Sequence, residues 1–138
     1  MSTKTGYLID TDIVIYWLAK KYPQIHQKMK QIDESQIFLS SITVAELYFG
    51  AYNSSKPDEN CELLDELVSE LKVISFYGKA GAIFGKVKAN LKKKGEIVSD
   101  SDLFIAGTAI SQNLTLVTNN EQHFRRIDGL KIENWTKP

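Results

Sequence analysis

The sequence holds a single cysteine, Cys61, so no internal disulfide forms and no thiolate zinc site can be built. Two histidines, His26 and His123, are too few for a histidine-rich metal centre. No apolar run approaches the roughly 18 uncharged residues that a membrane span needs. The opening Met1-Ser-Thr-Lys-Thr-Gly6 lacks the apolar core of a secretion signal, which points to a cytosolic protein with no membrane association. An excess of either charge is missing as well, since 17 basic and 17 acidic residues cancel. Net charge therefore does not announce a nucleic-acid partner. What is present is a chain of 138 residues, 43% hydrophobic and 25% charged. That suits one soluble domain over 1–138, with enough length for a core without staples.

The charge is balanced globally and separated locally. Asp58, Glu59, Glu62, Asp65, Glu66 and Glu70 form an acidic stretch free of bases, and Lys79, Lys86, Lys88, Lys92, Lys93 and Lys94 a basic stretch free of acids. Each reads as the solvated face of a helix. Lys88 and Lys92 are also candidate contacts to a nucleic-acid backbone, as a phosphate-tracking strip.

Apolar periodicity gives alternating strands and helices. Gly6–Asp10, Gln36–Ser40, Lys72–Phe76, Leu114–Thr118 and Leu130–Trp135 read as short strands. Between them lie a helix carrying Ile13, Val14, Trp17 and Leu18, a second opened by Pro23, and a third starting at Thr43. An acidic helix follows with Leu63, Leu67 and Leu71 in line, then a lysine-rich helix stopped by Gly95, then an all-apolar helix from Ser99. Gly78, Gly81 and Gly85 suggest close helix packing in the lysine-rich helix. The pattern predicts a three-layer α/β/α sandwich around a parallel sheet.

Ligands bind such sheets beyond the carboxyl ends of the strands. Asp10 and Asp12 end the first strand, Glu46 lies about a turn into the helix after the second, Asp100 and Asp102 open the buried helix, and Thr118-Asn119-Asn120-Glu121 ends the fourth strand. Oxygen donors from distant parts of the chain suit a hard divalent ion, Mg²⁺ or Mn²⁺, able to activate water against a phosphodiester. Each acid also has a structural alternative. Thr43-x-x-Glu46 and Ser99-x-x-Asp102 fit capping boxes, Asp12 could cap the first helix, and Asn119 or Asn120 could shape a turn. On that alternative the protein is a non-catalytic binding module, with Tyr16, Trp17, Tyr48, Phe49 and Tyr52 forming a groove for a partner. Asp10, a charge closing an apolar strand, is the hardest to explain by structure alone.

Other chemistries lack their motifs. Around Gly85-Lys86, Ala80 and Val87 stand where a phosphate-binding loop needs Gly and Ser or Thr, and neither G-x-G-x-x-G nor G-x-S-x-G occurs. A receiver-type signalling domain would need an Asp after the third strand, where Tyr77-Gly78 stand instead.

Leu8-Ile-Asp10-Thr-Asp12, Ser40-Ser-Ile-Thr-Val-Ala-Glu46-Leu, Ser101-Asp102-Leu-Phe-Ile-Ala106 and Leu116-Val-Thr-Asn-Asn120 occur in that order. Together with the tail from Phe124 to Trp135 they resemble the PIN-domain ribonucleases, and within them the VapC toxins of bacterial toxin–antitoxin pairs. The resemblance implies a five-stranded parallel sheet, metal-dependent cleavage of RNA, homodimerisation and inhibition by a VapB-like antitoxin. It places Asp10, Glu46 and Asp102 on the family's metal-site acids and Asn120 on a fourth position that is Asp in many members. Asp12, Asp100, Thr118 and Glu121 would support the site.

Overall fold

Tyr7–Ile9, the first apolar segment, forms strand β1 at the centre of the sheet. The computed structural model describes residues 6–138, and the leader reading on residues 1–5 lies outside the described residues. Along the chain follow α1 (Thr11–Leu18), α2 (Pro23–Gln31), β2 (Ile37–Ser40), α3 (Ser41–Tyr52), α4 (Pro57–Glu70), β3 (Lys72–Ile74), α5 (Gly78–Lys93), α6 (Asp100–Ser111), β4 (Thr115–Val117), α7 (Glu121–Phe124) and β5 (Lys131–Glu133). Every strand pairing is parallel, in the order β3-β2-β1-β4-β5.

Both sheet faces are covered, so the strands read as apolar runs. Successive side chains point to opposite faces. Ile9, Leu39 and Val117 join the core under α1, α2, α3 and α4, with Trp135. Leu8 and Leu116 join the core under α5, α6 and α7, with Phe124. The expected three layers are there. Pro23 and Pro57 occupy the first positions of α2 and α4, where a missing N–H is harmless. Gly95, at φ +72°, ends α5 with its N–H on the Lys92 carbonyl.

Three local expectations are corrected. The strands are shorter than the apolar runs, with β3 ending at Ile74 and β5 at Glu133. Leu64, not Leu63, faces the core from α4, and Leu63 is 46% exposed. The glycines of α5 do not mediate packing: a Cβ on Gly78, Gly81 or Gly85 would meet nothing within 4 Å. The close approach is made from α6, where a Cβ on Gly107 would stand 2.8 Å from the Ala80 carbonyl oxygen. A helix glycine without a packing role is a weak point, because glycine costs about 0.5–1 kcal/mol relative to alanine there. Gly81→Ala together with Gly85→Ala is therefore expected to raise the melting temperature by a few degrees, measured by circular dichroism.

Candidate active site

The strand order reverses direction between β1 and β4, and the crevice beyond such a switch point is where open α/β sheets bind ligands. Asp10 stands there. Its N–H extends the ladder to Val117 at 2.9 Å, while its carboxylate turns into the crevice and is only 5% exposed. Oδ1 accepts from the Thr11 N–H at 2.8 Å, and Oδ2 accepts from the Thr118 hydroxyl at 2.8 Å. Thr118 in turn accepts the Asn120 N–H at 2.9 Å, so the turn after β4 is tied to the acid after β1.

Asp12, half-buried beside it, accepts from the Ile13 N–H at 2.7 Å and the Asn119 N–H at 3.1 Å. Burial pushes the Asp10 carboxyl up to about 7, the negative charge of Asp12 adds to this, and the bonds from Thr118 and Thr11 oppose it. Burial also raises Asp12, against the pull of the Asn119 and Ile13 N–H groups. Asp102 is near enough for its charge to raise both. Among the described residues, no lysine or arginine pairs with Asp10, Asp12 or Glu46. A crevice of this kind attracts a cation.

Glu46 reaches the same edge from α3. Its Oε1 accepts from the Thr11 hydroxyl at 2.9 Å, and Thr43 lies 3.1 Å from that hydroxyl. The capping box expected at Thr43 and Glu46 is not formed. Ser40 is the cap of α3 and accepts the Thr43 N–H at 3.0 Å, so the helix starts earlier and Glu46 is left to the crevice. The second expected cap is formed, with Ser99 accepting the Asp102 N–H at 3.2 Å. That bond uses the backbone of Asp102 and leaves its carboxylate to face His123, whose Nδ1 lies 3.4 Å from Oδ2.

Not every expected residue points inward. Asp100 pairs with Lys88 at 2.8 Å on the rim, which occupies both side chains. Glu121 turns to the C-terminal segment, where Lys137 at 2.6 Å and then Asn134 hold its carboxyl below the usual range. Asn120 contributes its N–H to Thr118 and its amide to His123, 2.8 Å away.

A family model described as PIN domain matches residues 7–130. The chain belongs to the PIN-domain family. Among its PIN relatives, Ribonuclease VapC2 of Haemophilus influenzae is 39% identical over 129 residues, covering 94% of this chain and 97% of that protein. The tRNA(fMet)-specific endonuclease VapC of Salmonella typhimurium is 35% identical over 129 residues, covering 94% and 97%. The crystal structure of VapBC2 from Rickettsia felis, bound to a DNA fragment from their promoter, matches with a TM-score of 0.88 at 36% identity, over 95% of this chain and 99% of that one.

The residues of this PIN crevice fit a hard divalent ion in donor type: a nine-tenths buried carboxylate, further acids around it and oxygen throughout. Among the described residues, no three His, Cys, Asp or Glu side chains stand together in a position to hold a metal ion. Mg²⁺ does not require three, since it keeps several waters and takes one or two carboxylates. Sequence reasoning missed Thr11, which joins Asp10 to Glu46, and His123. Thr11 carries a readable signal, a hydroxyl directly after the strand-end acid. His123 carries none, because the one-turn helix α7 that delivers it has no periodicity to detect.

Proposed function

We propose that the chain is a metal-dependent endoribonuclease, the toxin of a VapBC-type toxin–antitoxin pair. The observation that carries this is the buried, uncompensated Asp10 carboxylate at the switch point, with Asp12, Asp102 and Glu46 around it. Mg²⁺ or Mn²⁺, held by Asp10, Asp102 and Glu46 with water in the remaining positions, would supply an activated water and screen the charge of the scissile phosphodiester. The protein's own part is orientation. Thr118 and Thr11 each hold one oxygen of Asp10, Thr11 aims Glu46, and the Asn119 N–H fixes Asp12. Held side chains need no rearrangement as charge develops, which is where electrostatic catalysis gains most. Lys92 and its neighbours on α5 would guide the RNA backbone, with Lys88 available once it leaves Asp100.

The test is cleavage of total RNA, and of an initiator tRNA as the first defined substrate, by antitoxin-free protein with Mn²⁺, Mg²⁺ or EDTA. Discrete cuts with metal only, absent in Asp102→Asn, are the expected result. No cleavage, with no Mn²⁺ binding by calorimetry, would return the acids to a structural role.

The antitoxin has a surface to use. Ile15 and Leu18 of α1, Leu47 of α3, and Leu63 and Leu64 of α4 line an apolar groove of about 410 Å³ that opens beside Glu46. Phe49 and Tyr52 stand 72% and 70% exposed on the same helix α3. An amphipathic helix from a VapB-like partner would cover this apolar surface and bring its following residues to the acids. Leu63→Glu is expected to weaken antitoxin binding at least roughly tenfold by calorimetry, as truncation of interface anchors does, with RNA cleavage retained.

A further inference from the structure

The C-terminal segment closes over the turn that follows β4. At the end of the β4–β5 ladder the Thr118 N–H bonds the Glu133 carbonyl at 3.0 Å. One residue further on, side chains continue the join. Asn134 Nδ2 donates to Asn119 Oδ1 at 3.0 Å and to Glu121 Oε2 at 2.9 Å, while its Oδ1 accepts the Thr136 N–H at 3.0 Å. Trp135, between these two residues, is buried with its ring 5.3 Å from that of Tyr7, which anchors the segment in the core. We propose that Asn134 is a positioning residue for RNA cleavage: it fixes the turn whose Thr118 hydroxyl holds Asp10 and whose Asn119 N–H holds Asp12. The inference rests on the reading of the acids as a nuclease site.

The chemistry of its partners fixes which way Asn134 faces. A carboxylate only accepts and a backbone N–H only donates, so Glu121 draws the NH₂ group and Thr136 the carbonyl oxygen. The two hydrogens then have two takers, Glu121 and Asn119. The Thr136 hydroxyl stands 3.1 Å from Asn119 Oδ1 and 2.7 Å from Asn134 Oδ1; both are acceptors, and its one hydrogen goes to the nearer. Among the described residues, that leaves Asn134 to hold the exposed Asn119 amide. The Asn119 backbone gives its N–H to Asp12 at 3.1 Å, and Asn120, next in the chain, gives its N–H to Thr118 at 2.9 Å. A turn released on its outer side no longer sets where these donors stand, and acids misplaced by about 1 Å cost up to roughly 10²-fold in rate. Lys137 lies off this path, since its ion pair with Glu121 at 2.6 Å ties the tail to α7 without touching Asn119.

The test uses full-length, antitoxin-free protein with Mn²⁺, well below its melting temperature, with amide hydrogen exchange followed by nuclear magnetic resonance alongside. In Asn134→Ala, kcat for RNA cleavage is expected to fall at least roughly tenfold with KM within about twofold, the split expected when alignment and not substrate binding is lost. Exchange at the Asn119 and Asn120 amides quickens roughly tenfold while the β4 amides keep their protection. Lys137→Ala leaves kcat within about twofold. An unchanged kcat in Asn134→Ala, or an equal loss in Lys137→Ala, overturns the inference and leaves the acid site standing. Wild type that cuts no RNA with metal overturns the nuclease reading and this one together. Where Asn134→Ala folds poorly, Asn134→Asp decides, since it keeps the shape and the bonds from Thr136 but has no hydrogens to give. Its kcat falls, and adding Glu121→Gln restores it to within about threefold of wild type, because the new amide and a turned Asn119 amide both donate to the new carboxylate. Absence of that recovery overturns the inference.

Discussion

Asp10→Asn removes RNA cleavage and, in EDTA at pH 8, raises the melting temperature of the protein. The two effects have one cause. In the folded protein, burial and the charge of Asp12 push this carboxyl up to about 7, against an ordinary value of 3.8. Between those values the folded chain holds a proton that the unfolded chain has released, so the contribution of Asp10 to stability falls as pH rises. Below about pH 4 both states are protonated and nothing is lost; above about pH 7 the full penalty applies. At about 1.4 kcal/mol per tenfold change in proton affinity, that penalty is on the order of a few kcal/mol, or roughly 5 °C or more in melting temperature. Asparagine keeps the shape and the bond from the Thr11 N–H. The variant is therefore expected to melt several degrees above wild type at pH 8 and level with it near pH 4. Activity should fall by at least about 10²–10³-fold, as when a charge-stabilising group is lost from an active site. Added Mn²⁺ should stabilise the wild type, by about 2.7 kcal/mol at a hundred times its dissociation constant, and not the variant. A residue serving only as a helix cap gives another pattern: stability changes little or falls at every pH, and Mn²⁺ has no effect.

Gly107→Val is expected to cost about 3 kcal/mol, at the upper end for overpacking a tight core, and to lower the melting temperature by roughly 10 °C. The obstacle is backbone: the first added carbon would stand 2.8 Å from the Ala80 carbonyl oxygen, well inside contact distance. To make room, α5 and α6 must separate, which also loosens the stacked rings of Phe84 and Phe104 at 4.5 Å. Asp102 rides on the first turn of α6, so residual activity at low temperature should fall as well. Ala80→Gly should not rescue the variant, because shortening that side chain leaves the carbonyl in place. Rescue would show that a side-chain clash, and not the backbone, sets the spacing of the two helices.

The strand-end acids were legible because charge directly after a short apolar run has few structural uses. That signal marked Asp10 and ordered the other acids around it, and the alternation of strands and helices brought the α/β/α layers with it. The misreadings share a different origin. Thr43 precedes Glu46 by the interval of a capping box, but Ser40, held at the end of β2, caps α3 first. Spacing alone cannot say where the preceding strand stops. Glu121, expected to support the site beside Asn120, is sent toward Lys137 by the first turn of α7. The α5 glycines suggested a tight crossing that exists, but the close approach belongs to Gly107 on the opposite helix. His123 reaches Asp102 through tertiary structure only, across residues that no local pattern connects.

The bond between Thr118 and Asp10 joins residues 108 apart in sequence, and β1 has β4 as its neighbour on that side. A ribosome that has delivered Asp10, Glu46 and Asp102 has therefore delivered an incomplete nuclease. Until residues 115–118 emerge, β1 is an open sheet edge, Asp10 lacks the hydroxyl that orients it, and the crevice has one wall. Contacts this distant close late in folding. A chain that stops before Thr115 would carry the acids without the strand and hydroxyl that arrange them. The order of the chain thus constrains the timing of activity: the arrangement around Asp10 requires β4 and Thr118, which follow all three acids in the sequence.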